Sequence, residues 1–248
     1  MSDGHIASRG EFQHDLPLAE DVRSTGMNGW HITIAPHDMG SRFAGSSDGA
    51  VVWSTLLKGK EIPFTAFPRE HGETLSGSVE AEVYLSRARA LRLLLLGCDH
   101  SLTFSAVRAL VNLHGPLNIL VFDAHHDSYA EASLSHYSVF YHITRLLDCA
   151  VKFVGCRYEE ISKMERPWTP GRPCYVSLDA DFFPPPLVRS VKHPVDWDET
   201  DPFELFERAL RDVRESVIGA DIVEWTGSLV PEERELMFRS LRRLMAVS

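Results

Sequence analysis

Three short segments of this chain concentrate side chains that can hold a cation: Gly97-Cys98-Asp99-His100-Ser101, Asp123-Ala124-His125-His126-Asp127 and Ser177-Leu178-Asp179-Ala180-Asp181. Glu224 adds an isolated carboxylate further on. Asp123, His125 and Asp127 alternate, so an extended backbone turns all three side chains to one side. Asp179 and Asp181 repeat that spacing. Each of these positions directly follows an apolar run: Leu93 to Leu96, Leu117 to Phe122, Tyr175 to Leu178 and, ahead of Glu224, Val217 to Val223. Such runs suit strands buried on both faces of a parallel sheet, where ligands bind beyond the carboxyl ends of the strands. The segments are therefore expected to converge on one crevice. Four aspartates and two histidines brought together repel and desolvate one another unless a cation neutralises them. Carboxylates with two imidazoles and no thiolate suit a hard-to-borderline ion such as Mn2+ better than structural zinc, which favours Cys and His. Several carboxylates can also bridge two ions about 3.5 Å apart.

The elements that must position these residues follow from hydrophobic periodicity. Trp30 to Ala35 reads as the first strand, and Val151 to Val154 adds another apolar run. Val79, Val83, Leu85, Ala88 and Leu91 recur every three or four residues, which predicts an amphipathic helix over Ser76 to Leu91. Further helical patterns span Leu102 to Leu113, His136 to Leu147, Pro202 to Val213 and Pro231 to Met245. Alternation of strands and helices predicts an α/β fold with a parallel, doubly wound sheet. Residues 1–28 are polar and irregular, and one α/β domain is expected over residues 29–248. Pro184-Pro185-Pro186 must be loop.

Composition narrows the function classes. The chain has 248 residues, with 35 Asp plus Glu against 25 Lys plus Arg and a formal net charge of −10. That balance disfavours a broad grip on nucleic-acid phosphates or anionic lipid. No apolar run approaches a membrane span, and Met1 to Gln13 lacks a signal-type apolar stretch, so a soluble, cytoplasmic protein is expected. Cys98, Cys149, Cys156 and Cys174 show no CxxC pair, which indicates neither a zinc ribbon nor a disulfide scaffold.

In order and spacing, the three segments resemble the metal-binding signatures of the ureohydrolase family, which includes arginase and agmatinase. The resemblance implies a three-layer α-β-α fold of the arginase and deacetylase type and two Mn2+ ions per chain. It implies that His100, Asp123, Asp127 and Asp179 hold one ion and His125, Asp123, Asp179 and Asp181 the other, with Asp123 and Asp179 as bridges. It further implies that His136 is the proton-shuttling histidine and that Glu224 pairs with the substrate guanidinium. The reaction implied is hydrolysis of a guanidino group to urea and an amine. The residues suit that chemistry: a guanidinium carbon is a poor electrophile, and paired metals lower the pKa of a shared water to near 7. Asp127 can accept the remaining proton, Glu224 can hold the flat cation, and a histidine of pKa about 6.5 can protonate the leaving amine.

The sequence departs from the family at several points. Cys98 stands where a second glycine is usual and is read as a small buried filler of that space. Pro184 replaces an aspartate, and Leu187 to His193 stands in place of a Gly-Thr-Gly-Thr-Pro segment. Only eight residues separate Asp127 from His136, and they lack the asparagine with which arginases read the substrate α-carboxylate; Tyr129 instead resembles agmatinases. A shortened loop implies a wider mouth, able to admit a guanidino group carried on something larger than a free amino acid, including an arginine within a peptide, so the expected partner is a small-molecule or peptide guanidino substrate. His126 is read as a packed histidine and Asp196 to Asp201 as a solvated acidic loop. Two other readings are deacetylation, or another amide C–N hydrolysis on the same fold, and a non-catalytic metal-binding homologue. Glu224 favours a cationic substrate over the first, and retention of six ligands with His136 argues against the second.

Overall fold

A computed structural model describes residues 29–38, 46–67, 73–158, 167–197, 201–228 and 230–246. The irregular 1–28 segment and part of the acidic stretch after Asp196 lie outside the described residues. The strands are β1 (Trp30–His37), β2 (Thr65–Ala66), β3 (Arg92–Cys98), β4 (Leu117–Phe122), β5 (Cys149–Val154), β6 (Cys174–Asp179) and β7 (Val217–Val223). The helices are α1 (Ser46–Gly59), α2 (Glu73–Ala88), α3 (Ser101–His114), α4 (Val139–Leu146), α5 (Pro202–Val213) and α6 (Pro231–Met245).

The strands form one seven-stranded sheet in the order β2-β1-β3-β7-β6-β4-β5, and every strand pair is parallel. Side-chain alternation divides each apolar run between two cores. Leu94, Leu96, Leu120, Phe122, Val176 and Leu178 face one core, which α1, α5 and α6 cover with Trp53, Phe206 and Leu241. Leu93, Leu95, Ile119, Val121 and Tyr175 face the other, under α2, α3 and α4 with Val83, Val107 and Phe140. Helices on both faces explain why the strands are mostly apolar on both sides, and the result is the expected three-layer α-β-α arrangement. Each fully buried large apolar side chain contributes about 1.5–3 kcal/mol. Among them, the Phe122 ring lies 5.4 Å from Phe182 and 4.8 Å from Phe206.

Register brings the strand ends into line. Leu96 pairs with Ile222, Ile222 with Leu178, and Leu178 with Phe122. Residues just beyond that row, including Asp123, Asp179 and Glu224, therefore emerge along one edge of the sheet.

Two elements are absent from the sequence reading. α1 contains Gly49, which looks like a helix breaker, yet a Cβ there would lie 1.9 Å from the Trp225 carbonyl oxygen. The glycine serves close packing of α1 against the segment just after β7. β2 is a two-residue edge strand with no apolar run to announce it. The helix predicted from His136 starts instead at Val139, so His136 sits in the loop before α4. Serine side chains capture the preceding backbone: Ser135 N–H donates to Ser138 Oγ at 2.9 Å, and that hydroxyl donates to Ser133 O at 3.1 Å. Such local bonds compete with helix formation. Among the described residues no helix is long and apolar enough to cross a membrane.

Candidate metal centre

The six anticipated ligands lie at the carboxyl ends of β3, β4 and β6. His100, Asp123, Asp127 and Asp179 form one buried group, and Asp123, His125 and Asp181 form a second; within each group the ligand atoms lie within 4.8 Å of one another. Asp123 is common to both, whereas Asp179 enters the first alone. His100 Nδ1 lies 3.1 Å from Asp127 Oδ2, 3.4 Å from Asp123 Oδ2 and 3.5 Å from Asp179 Oδ2. His125 Nδ1 lies 2.8 Å from Asp181 Oδ2.

The electrostatics of this cluster call for a cation. Burial and the facing aspartates hold the Asp123 and Asp179 carboxyls well above the usual carboxylate range. Burial alone would lower the His100 ring, but its hydrogen bond to Asp127 and the charges of Asp123 and Asp127 push it up to about 10. The same balance, set by Asp123 and Asp181, takes His125 to about 11. Buried carboxylates thus recruit protons and imidazolium ions as counter-charge. Asp123 Oδ2 is buried with no hydrogen-bond partner, as suits an oxygen reserved for a metal.

Residues that the sequence reading missed orient the first ligand. Ser177 Oγ donates its proton to Asp221 Oδ1 at 2.6 Å, so at 2.9 Å it can only accept from His100 Nε2–H. That bond leaves Nδ1 aimed at the aspartates, the usual way an outer partner fixes a metal-binding imidazole. Asp221 also accepts from Thr103 Oγ1 at 2.7 Å and Tyr175 OH at 2.9 Å. The signal was present: Asp221 is a fully buried carboxylate inside an otherwise apolar strand.

Backbone strain marks two of the site residues. Asp127 has φ 39° and Glu224 φ 62°, in the left-handed region that side-chain-bearing residues seldom occupy. Strain of this kind costs about 1–3 kcal/mol and persists where surrounding structure enforces it. Phe140 N–H bonding to Asp127 O at 2.9 Å and Glu224 N–H bonding to Cys98 O at 2.9 Å supply that enforcement.

Glu224 lies beside the two groups and belongs to neither. Its Oε1 accepts from the His100 backbone N–H at 3.1 Å and lies 3.4 Å from His136 Nδ1. Burial alone would raise this carboxyl, but His136, the Lys192 charge and the His100 amide hold it at about 2. His136 Nε2 is buried without a hydrogen-bond partner. His126, as expected, is simply packed, with Ser128 N–H donating to its Nδ1 at 3.1 Å. Cys98 is fully buried, and burial together with Asp221, Asp99 and Glu224 pushes its thiol far above the usual range, so it fills space as a neutral group. Lys192 and His193, not singled out by the sequence, also face the site; His193 Nε2 lies 3.2 Å from Tyr137 OH.

Comparison with known proteins gives this arrangement its relatives. The model of the Arginase family matches residues 52–165, a stretch that contains His100, Asp123, His125, Asp127 and His136. Over that stretch the chain is similar to the arginase family. An arginase of Glycine max is 28% identical over 174 residues, covering 58% of this chain and 49% of that protein. The chain spans about half the length of the curated relatives it matches. Its fold is similar to that of a hypothetical agmatinase from Burkholderia thailandensis, with TM-score 0.73 at 21% identity over 91% of this chain and 87% of that one. A proclavaminate amidino hydrolase from Streptomyces clavuligerus gives TM-score 0.71 at 19% identity, covering 88% and 91%.

Proposed function

We propose that the protein is a dimanganese hydrolase that cleaves a guanidino group to urea and an amine. The observation that carries this reading is the pair of carboxylate–imidazole groups sharing Asp123, with Glu224 and His136 set beside them. The donor set, four carboxylates and two imidazoles without thiolate, would suit Mn2+ in both groups, with Asp123 shared between them. Divalent ions bound there would supply a water of pKa near 7. The buried Asp127 carboxylate would be the group that accepts a proton from the attacking water. Glu224 pairs with the substrate cation and fixes its plane, an orienting role that lowers the entropic part of the barrier. His136, with an unused Nε2, gives a proton to the departing amine.

The substrate reading is a guanidino group on a carrier larger than a free amino acid. Tyr129 is 53% exposed and Tyr158, which stacks on His125 at 5.5 Å, is 43% exposed, so an aromatic rim faces solvent beside the second ligand group. Such a rim can contact a peptide or other carrier. The test is urea release by Mn2+-loaded protein from arginine, agmatine, hydroxyarginine, guanidinobutyrate and an arginine capped as amides at both ends. Capped arginine is expected to exceed free arginine in kcat/KM; a tenfold advantage for free arginine, about 1.4 kcal/mol, would reverse the carrier reading. Acetate release from an N-acetylated amine, with no urea from any guanidino compound, would replace guanidine hydrolysis by amide hydrolysis.

A further inference from the structure

We propose that Lys192 is a tethered cation that competes with the substrate guanidinium for Glu224 and so sets which guanidino compounds enter the site. This inference rests on the guanidine reading above and adds a specificity-determining residue to it. The Lys192 side chain is only 2% exposed, and its Nζ lies 3.4 Å from Asp38 Oδ1 and 3.9 Å from Glu224 Oε2. That ammonium makes no hydrogen bond. A lysine serving only to neutralise a carboxylate closes to about 2.7–2.9 Å; this one stands off both of its partners.

Its position is enforced from outside the site. Buried Glu233, in the first turn of α6, accepts from the backbone N–H groups of Arg189 at 3.3 Å and Ser190 at 3.2 Å, and from Trp225 Nε1 at 3.0 Å. Thr226 N–H donates to Ser190 O at 2.8 Å, and Val191 bridges Trp225. The segment carrying Lys192 is thus strapped to the residues that directly follow Glu224.

The consequence is electrostatic. Glu224 Oε1 already serves the His100 amide and His136, so Oε2 is the oxygen left for a second hydrogen bond from a planar cation. Lys192 is the cation that faces Oε2. A guanidinium seated there meets a like charge in a water-poor setting, where such repulsion is far stronger than in water. Small guanidinium ions have nothing with which to offset it. A larger substrate has remote contacts whose binding free energy can displace the ammonium.

The test is calorimetric binding of methylguanidinium, with uncharged N-methylurea as control, to the Mn2+-loaded wild type and to K192M, K192Q and K192R. Removing the charge in K192M should tighten methylguanidinium binding at least tenfold and leave N-methylurea within twofold. K192Q gives the same readout if the methionine variant does not fold, and K192R, which keeps the charge, should stay within threefold of wild type. Unchanged or weaker methylguanidinium binding in K192M or K192Q, or equal tightening in K192R, overturns the role of Lys192 and leaves guanidine hydrolysis standing. Failure of every protein to bind methylguanidinium while retaining Mn2+ overturns both.

Discussion

Asp123→Asn is expected to lower activity by at least about a thousandfold, about 4 kcal/mol at the transition state, and to remove most of the bound metal. Asp123 is the residue common to both ligand groups, so its charge is the one whose loss weakens both positions. The same substitution should not destabilise the metal-free protein. Without a cation, Asp123 is a buried carboxyl with an unpartnered Oδ2, crowded by Asp127 and Asp181, and an uncharged isostere relieves that repulsion. The discriminating measurement is therefore thermal unfolding with and without Mn2+. Wild type should gain stability on metal addition, because a ligand that binds only the native state stabilises it. Asp123→Asn should show the wild-type metal-free midpoint or a higher one, with little gain from Mn2+. A fully loaded, active variant would contradict the shared role of Asp123.

Glu224→Gln should act differently. Glu224 belongs to neither ligand group, so metal content is expected to remain at the wild-type level. Removing one partner of a buried, hydrogen-bonded charge pair typically costs about 2–5 kcal/mol, which corresponds to about a 30- to 5,000-fold fall in kcat/KM for a cationic substrate. An uncharged glutamine keeps the volume and can still accept from the His100 amide, so the loss would report on charge. Retained kcat/KM in a metal-replete Glu224→Gln would remove Glu224 from substrate recognition. The contrast between the two variants separates metal binding from cation binding, which activity alone does not.

Much of this arrangement was legible in the chain because the physics that places it is local or periodic. The runs at Leu93 to Leu96, Leu117 to Phe122 and Val217 to Val223 are apolar but for Asn118 and Asp221 because helices cover both faces of the sheet. Polar residues directly after such runs must emerge at one edge, so His100, Asp123, Asp127 and Asp179 could be expected together. The helices at Pro202–Val213 and Pro231–Met245 start where proline can occupy the first turn, and Asp201 caps the former by accepting from Glu204 N–H at 2.9 Å. What stayed hidden depends on packing between distant segments. Gly49 looks like a breaker until the Trp225 carbonyl is seen against it. His136 looks like the start of a helix until the serine bonds of residues 133–138 hold it outside. Lys192 reaches Glu224 only because Glu233, more than forty residues later in the chain, clamps the backbone beside it. The pairing of Ser177 with Asp221 likewise needs the β6–β7 register, which places the two residues opposite each other.

The most direct test of the account is the metal content of the wild-type protein after loading with Mn2+ and removal of free ion, measured by elemental analysis together with urea release. Two Mn2+ ions per chain, with urea formation that disappears on chelation and returns on reloading, is the predicted result. A single bound zinc, or no retained metal after Mn2+ loading, would contradict it.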